Sequence, residues 1–486
     1  MTHATDAQDR PKPGKDTRAW RAVLFFVLLL GLAVGATGVG TAQPVSGAAD
    51  GRRTFTGEID GAEYRVEMPE AWNGTLLLYS HGYHPEFWPD DLPIEVTNAE
   101  EAEDWLLDNG YALAASEFQN DGIGYLVEEA LTDQIALLDW FEANIGQPST
   151  TVATGQSMGA VPTILLSERY PDRFDGAATI CGGPDPQATF NAGLDVTFGV
   201  KTLLAGDEDI ELVNPGDPEG STQALAEAVE AVMVTPEGRA RLALIASFNN
   251  VQGWWSAHEP RPTEPEERIR QQANWILNAY VLGFAGPGAR VNLEQQAGGN
   301  PSSNVGVDYR RQLLRSSQTI DVRRAYREAG LDLGADLELL ADAPRIAADQ
   351  DAVDYMYQFG VPTGTTPVPV VTLHTTGDGG ATPDQERWYG SLVRRAGDAG
   401  NLRQHYVERG AHCSVSAAEE IVSLQTLLSR IDTGHWPNTS PSRLTAEAET
   451  FDSEYHQVLD FVTFTKETME PAFTRYTPPK PQRPSR

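Results

Sequence analysis

The sequence predicts an α/β fold: a doubly wound, mostly parallel sheet interrupted after its sixth strand by a large helical cap. Three observations carry this. Strand-like and helix-like segments alternate over 54–184 and again over 366–435. Between them, 185–365 has helical spacing and no strand of comparable strength. One strand also runs straight into a helix through Gly155-Gln156-Ser157-Met158-Gly159, a turn tight enough to ask for small residues at both ends.

Thr54 to Met68 alternates around Asp60-Gly61, a hairpin signal. Gly74 to Ser80 is a continuous apolar run, as expected of a strand buried on both faces, and ends in His81-Gly82-Tyr83. Glu100 to Asn109 is a helix stopped by Gly110. Tyr111 to Ser116 is a strand. Glu128 to Ile145 sets Leu131, Ile135, Leu138 and Phe141 on one helical stripe. Thr150 to Thr154 is the strand before Ser157, and Ala160 to Tyr170 the helix after it, ending before Pro171. Gly176 to Ile180 is the sixth strand.

In the cap, helices are expected over Ser221–Met233, Pro236–Phe248, Pro265–Leu282, Asp308–Leu314 and Asp336–Leu340. The sheet resumes at Pro367–Leu373, before His374-Thr375-Thr376-Gly377-Asp378. Asp384–Ala399 is a helix, and Asn401–Val407 is the last strand, before Gly410-Ala411-His412-Cys413. Ser416 and Glu419 form a capping box for the final helix. The C-terminal extension 436–486 is irregular, and Pro478 to Arg486 is expected to be disordered.

Formal net charge is −33 over 486 residues. Lys201, Lys466 and Lys480 are the lysines after residue 42. Such a surface repels nucleic acid and anionic lipid, so neither is expected as a partner. Residues 1–42 place Lys12, Lys15, Arg18 and Arg21 before an apolar run of roughly 18 residues, followed by Gly40-Thr41-Ala42. This pattern is that of a signal peptide, with an uncleaved N-terminal anchor as the alternative. The protein is therefore expected to be secreted, or otherwise membrane-anchored and facing outside, with that segment its one contact with a membrane.

His81-Gly82 after an early strand, Gly-Gln-Ser157-Met-Gly at a turn, Gly377-Asp378 after a later strand and His412 after the last one match, in order and spacing, the α/β-hydrolase superfamily. The chain resembles an exported serine esterase of that superfamily with a large helical cap insertion. The resemblance implies an eight-stranded, mostly parallel sheet and a Ser-His-Asp triad, and fixes no substrate.

The residues are consistent with such roles. A serine hydroxyl needs a base within hydrogen-bond reach. Of nine histidines, His412 sits in a Gly/Ala-flanked loop after a strand and follows serine and acid in chain order. Asp378 is the expected acid; Asp384 reads as a helix start behind Thr382-Pro383, and Asp207 lies in the cap. The N–H groups of Met158 and Tyr83 are the expected oxyanion donors. His81 is expected to prop that loop. Phe87 and Trp88, beside the oxyanion site, are the expected substrate contacts. Trp254, Trp255, Trp275, Tyr280 and Phe284 either form an apolar lid or pack helices on the sheet.

Cys181 and Cys413 both map to the carboxyl edge of the sheet and are expected to form a disulfide pinning the histidine loop. Histidine followed by cysteine also resembles tannases and feruloyl esterases. In that group a cysteine precedes the serine, where this chain has Gln156. Asp207, Asp209 and Glu211 alternate as calcium ligands do, but no glycine turn follows; no metal and no cofactor is expected. The expected reaction is hydrolysis of a small-molecule or polymeric carboxylic ester through an acyl-enzyme. A peptidase, an acyltransferase or a non-catalytic binding protein on the same fold are the rivals.

Overall fold

The computed structural model describes residues 51–85, 92–206 and 209–485. The expected signal segment 1–42, Phe87, Trp88 and Asp207 lie outside the described residues. The hairpin β1 (Arg53–Ile59) and β2 (Ala62–Met68) turns at Asp60 and Gly61, both at positive φ. Next come β3 (Thr75–Ser80), α1 (Glu100–Asp108), β4 (Ala112–Phe118), α2 (Val127–Asn144), β5 (Thr150–Gln156), α3 (Ala160–Arg169) and β6 (Gly176–Ile180). Helices α4 (Pro186–Val200) to α12 (Gln350–Phe359) fill the interval before β7 (Val370–Gly377). The chain then forms α13 (Asp384–Ala396), β8 (Leu402–Gly410), α14 (Ala417–Thr433), α15 (Pro441–Ala448), the hairpin β9 (Gln457–Asp460) and β10 (Thr465–Thr468), and β11 (Phe473–Thr474).

The main sheet runs β1-β2-β4-β3-β5-β6-β7-β8-β11. Neighbours from β4 to β8 are parallel; β1, β2 and β11 join antiparallel. This is the α/β-hydrolase fold, with one strand beyond the eight expected. The ninth is two residues of the C-terminal extension, Phe473 and Thr474, paired with Val407 and Tyr406 on the outer edge of β8. An open edge there would leave backbone groups unpaired.

Alternation along β3 shows why helices cover both faces. Leu76 and Leu78 enter one apolar cluster with Leu138 and Phe141 of α2 and Val161 of α3. Leu77 and Tyr79 enter another with Leu106 of α1 and Ile421 and Leu424 of α14. The stripe on α2 is buried as expected at Leu131, Leu138 and Phe141, and partly at Ile135.

Between β6 and β7 the described residues contain helices and no strand, and they gather their own apolar cluster, from Leu194 to Leu340. The expected helix over Pro265–Leu282 is instead a helix to Trp275 followed by a wider π-helical segment, Ile276–Val281. Helices at Pro186–Val200, Pro287–Gln296, Thr319–Ala329 and Gln350–Phe359 were not anticipated.

The expectation of a disordered end does not describe the chain after Pro478. Arg387 donates to Pro478 O at 2.8 Å, and Asn250 to Lys480 O at 3.2 Å. Gln482 is buried, and its amide is 3.3 Å from both Ser247 O and Gln312 O. Ser485 donates to Asp185 Oδ1 at 2.6 Å. A proline-rich segment makes no internal hydrogen bonds, so composition alone reads as disorder; here its backbone is satisfied by other elements.

Two covalent or ionic ties hold the end of β8. Arg409 and Glu419, both buried, pair at 2.6 Å, and Glu419 completes the capping box with Ser416. Cys413 is disulfide-bonded to Cys181, which follows β6, across a separation of 232 residues. Replacing Arg409 by Leu strands a buried carboxylate and is expected to cost about 3–5 kcal/mol in urea unfolding. The Cys181→Ala/Cys413→Ala variant is expected to lose roughly 5 kcal/mol, from loop-closure entropy. Reductant should lower the melting temperature of the wild type and leave that of the variant unchanged; a wild type indifferent to reductant would contradict the bond.

Candidate active site at the carboxyl edge of the sheet

Strand β5 ends at Gln156, and Ser157 turns the chain at φ +50°, a conformation a non-glycine residue adopts only under constraint. The constraint is visible at both glycines. A Cβ on Gly155 would lie 2.6 Å from Gly159 O, and one on Gly159 would overlap the carbonyl oxygens of Ser80 and His81. Strand, turn and helix pass too close for side chains, so the serine hydroxyl is pushed out of the sheet.

His412 reaches it from the loop after β8. His412 Nε2 is 2.7 Å from Ser157 Oγ, and Nδ1 is 2.6 Å from Asp378 Oδ2. An N–H on Nδ1 facing the carboxylate leaves Nε2 to accept the serine proton. Asp378 is fully buried, whereas the His412 side chain is 30% exposed. The other oxygen of Asp378 accepts Gly380 N at 2.9 Å. The three side chains singled out by strand-end position thus lie in one hydrogen-bonded line. Asp384 does not join it: it opens α13, accepts from Thr382 Oγ1 at 2.6 Å, and burial pushes its carboxyl up to about 6.

Gly82 abuts the serine; a Cβ there would be 3.3 Å from Ser157 Cβ. Tyr83 follows Gly82 and Met158 follows Ser157, so the two segments flanking the hydroxyl carry the backbone N–H groups expected to meet an oxyanion. His81 is buried, with Nδ1 2.7 Å from Gly82 O and Nε2 3.1 Å from Glu117 O. Burial and neighbouring His84 push its pKa down to about 4. It stacks on Phe118 and His84 with centroids 4.2 Å away in each case. The ring props the loop, as expected.

Aromatic residues between β6 and β7 press on the acid loop. Trp275 lies against Gly379, where a Cβ would come within 2.6 Å of the indole. Tyr280 Oη donates to Gly379 O at 2.8 Å and accepts from Asn249 at 2.9 Å. Trp254 O accepts from Ala411 N at 3.2 Å. These are packing contacts; Trp255 and Phe284 are half-buried around them.

Sequence reasoning missed two neighbours. Gln156 Nε2 donates to Glu95 Oε2 at 2.9 Å, and burial raises the Glu95 pKa. His374 sits behind Asp378, 3.6 Å from its Oδ2. The run of glycines at 377, 379 and 380 was the available signal for close packing there. Two openings flank the site. One, of about 910 Å³, is lined by Tyr83, Asn120, Gln223 and Asn292; the other, of about 540 Å³, by Glu95, Cys413, Ser414 and Phe461.

His81, His84 and Glu117 could be considered as metal ligands, their donor atoms lying within 4.8 Å of one another. The two rings are stacked 18° from parallel, so their in-plane lone pairs run side by side rather than converge. Cys181, His412 and Cys413 are equally close, but the sulfurs are bonded to each other.

Known proteins resemble this chain at several levels. An o-phthalyl amidase of Xanthobacter agilis is 29% identical over 431 residues, covering 81% of this chain and 91% of its own. Feruloyl esterase B from Aspergillus oryzae superposes with a TM-score of 0.38 at 12% identity, covering 82% of this chain and 89% of that one. For an acylaminoacyl peptidase of Pyrococcus horikoshii the TM-score is 0.33 at 10% identity, over 77% of this chain; the match spans only 38% of the peptidase. The model of the tannase-like family of unknown function (DUF6351) matches residues 59–444, most of the chain, and the protein belongs to that family as a hydrolase of the α/β fold.

Proposed function

We propose that the protein is an exported serine hydrolase that cleaves carboxylic esters through an acyl-enzyme, with Ser157 as nucleophile, His412 as base and Asp378 as orienting acid. The observation that carries this is the His412 ring, which meets Ser157 Oγ at 2.7 Å and Asp378 Oδ2 at 2.6 Å. His412 takes the Ser157 proton as Oγ attacks the acyl carbon. The oxygen of the tetrahedral intermediate is met by the N–H groups of Met158 and Tyr83. His412 then protonates the leaving alcohol. Water repeats the sequence on the acyl-enzyme, with His412 again as base and Asp378 stabilising the imidazolium each time.

Amide hydrolysis is the second reading, favoured by the name of the Xanthobacter agilis relative. The machinery is the same; an amine leaving group depends more strongly on protonation by His412 before it departs. Export is supported by the Cys181–Cys413 disulfide, which suits an oxidising compartment. No described helix is long and apolar enough to cross a membrane.

Ser157→Ala is expected to abolish fluorophosphonate labelling and to lower kcat on a nitrophenyl ester by about a millionfold. Asp378→Asn should lower it by about ten-thousandfold. Undiminished ester cleavage by Ser157→Ala would end the proposal. Aryl esters and anilides of one acyl group, compared by kcat/KM, choose between the readings: ester cleavage alone supports the first, comparable cleavage of both the second. Product diverted onto added alcohols would instead indicate acyl transfer.

A further inference from the structure

We propose that His374 is a positioning residue of this site: a buried imidazolium, held between Asp378 and Glu386, that moderates the hold of Asp378 on His412. This rests on the reading of Ser157, His412 and Asp378 given above. His374 lies on β7, four residues before Asp378, and is fully buried. Its Nε2 donates to Ala381 O at 2.9 Å and is 3.6 Å from Asp378 Oδ2. Its Nδ1 is 3.5 Å from Glu386 Oε1. Each nitrogen therefore faces groups that only accept. A neutral ring that donates to Ala381 O would aim its remaining lone pair at the Glu386 carboxylate in a site closed to water, unlike buried His81, whose two nitrogens face backbone carbonyls. Two N–H groups leave no lone pair facing a negative oxygen; Nε2 donates to Ala381 O, and Nδ1 faces Glu386 at 3.5 Å without closing a hydrogen bond.

Glu386 is fixed from behind. Its Oε2 accepts Thr372 Oγ1 and Gln404 Nε2, each at 2.6 Å. The charged and titratable groups around the ring are Asp378 at the end of β7, Glu386 and Asp384 on α13, and Tyr406 on β8. Burial and Glu386 raise the Tyr406 pKa far above its usual value, so it adds no charge. Burial penalises the His374 cation, but Glu386, Asp378 and Ala381 O outweigh that and raise its pKa above the ordinary value. In buried His405 the balance goes the other way, and its pKa falls to about 4.

The groups then form a line: Glu386, His374, Asp378, His412, Ser157. Asp378 attracts the positive charge that His412 acquires on taking the serine proton. The His374 cation, on the far side of that carboxylate, opposes part of the attraction. Its bond to Ala381 O also closes the 378–381 turn, which keeps the Asp378 carboxylate aimed at His412.

Fluorophosphonate labelling rates across pH test this without a known substrate. His374→Gln keeps an amide donor for Ala381 O and removes the charge. The rise of rate with pH is expected to move upward by about one pH unit, with a final rate within about tenfold of wild type. A rise at the wild-type pH, with only the final rate reduced, would mean a purely structural role and overturn the proposal. A second measurement needs no variant. In wild type carrying ¹⁵N-histidine, one ring should remain doubly protonated at a pH where exposed histidines are neutral. If every ring is neutral there, the proposal falls, whether or not His374→Gln folds. Labelling that persists in Ser157→Ala would instead sink the nucleophile assignment, which the ¹⁵N measurement does not touch.

Discussion

The loop that carries His412 to Ser157 is held from several sides at once. Ala411 N donates to Trp254 O, Ala411 O accepts Thr375 Oγ1 at 2.8 Å, Cys413 is bonded to Cys181, and Ser414 Oγ donates to Leu459 O at 2.9 Å. Ala411 and Cys413 both adopt positive φ, at +62° and +53°. Such backbone costs of order 1–3 kcal/mol per residue and persists only where the surroundings over-determine it. The contacts come from β7, the end of β6, the segment before α7 (Pro265–Trp275) and the hairpin strand β9. The ring position is thus a property of the assembled fold rather than of the five residues from Ala411 to Val415.

The same holds for the acid. Asp378 stands on a turn rich in glycine, and glycine there admits Trp275 and leaves Gly379 O open to Tyr280. Both aromatics come from the helical stretch between β6 and β7, so that stretch is part of the wall behind the carboxylate and cannot be removed without loosening it. The C-terminal strand of contacts ties it down further: Gln482 reaches Ser247 and Gln312, and Arg483 reaches Asp195 on α4 at 3.2 Å.

Much of this was legible in the sequence because parallel sheets leave a strong local trace. A strand buried on both faces reads as an apolar run, as at Leu76–Tyr79, and Ser157, Asp378 and His412 follow the ends of β5, β7 and β8 in chain order. Other features carry no such trace. Phe473 and Thr474 are too few to show a period, and they pair only because β8 offers an edge. The helix Pro186–Val200 is buried almost all round and so lacks a polar face to reveal it. Tyr280 sits in a π-helical segment of six residues, too short to leave a period of its own in the sequence. The grouping of His374 with Glu386 exists only once α13 lies on β7, which no short-range pattern encodes.

The residue before the serine has a consequence of its own. Where tannases and feruloyl esterases carry a cysteine, Gln156 extends its amide to Glu95, on the segment before α1. Cys413 keeps its place after the histidine, but its sulfur partner comes from the end of β6, two strand neighbours away from β8. The histidine loop is therefore tied to the sheet and not to the serine turn. The turn keeps its strained geometry without a covalent tie, through close packing at Gly155 and Gly159 and the hydrogen bonds of Gln156 to Glu95 and of Thr163 to Gly159 O. Reduction of the disulfide would then remove one of several ties on the base and none on the nucleophile, because the bond does not reach the serine turn.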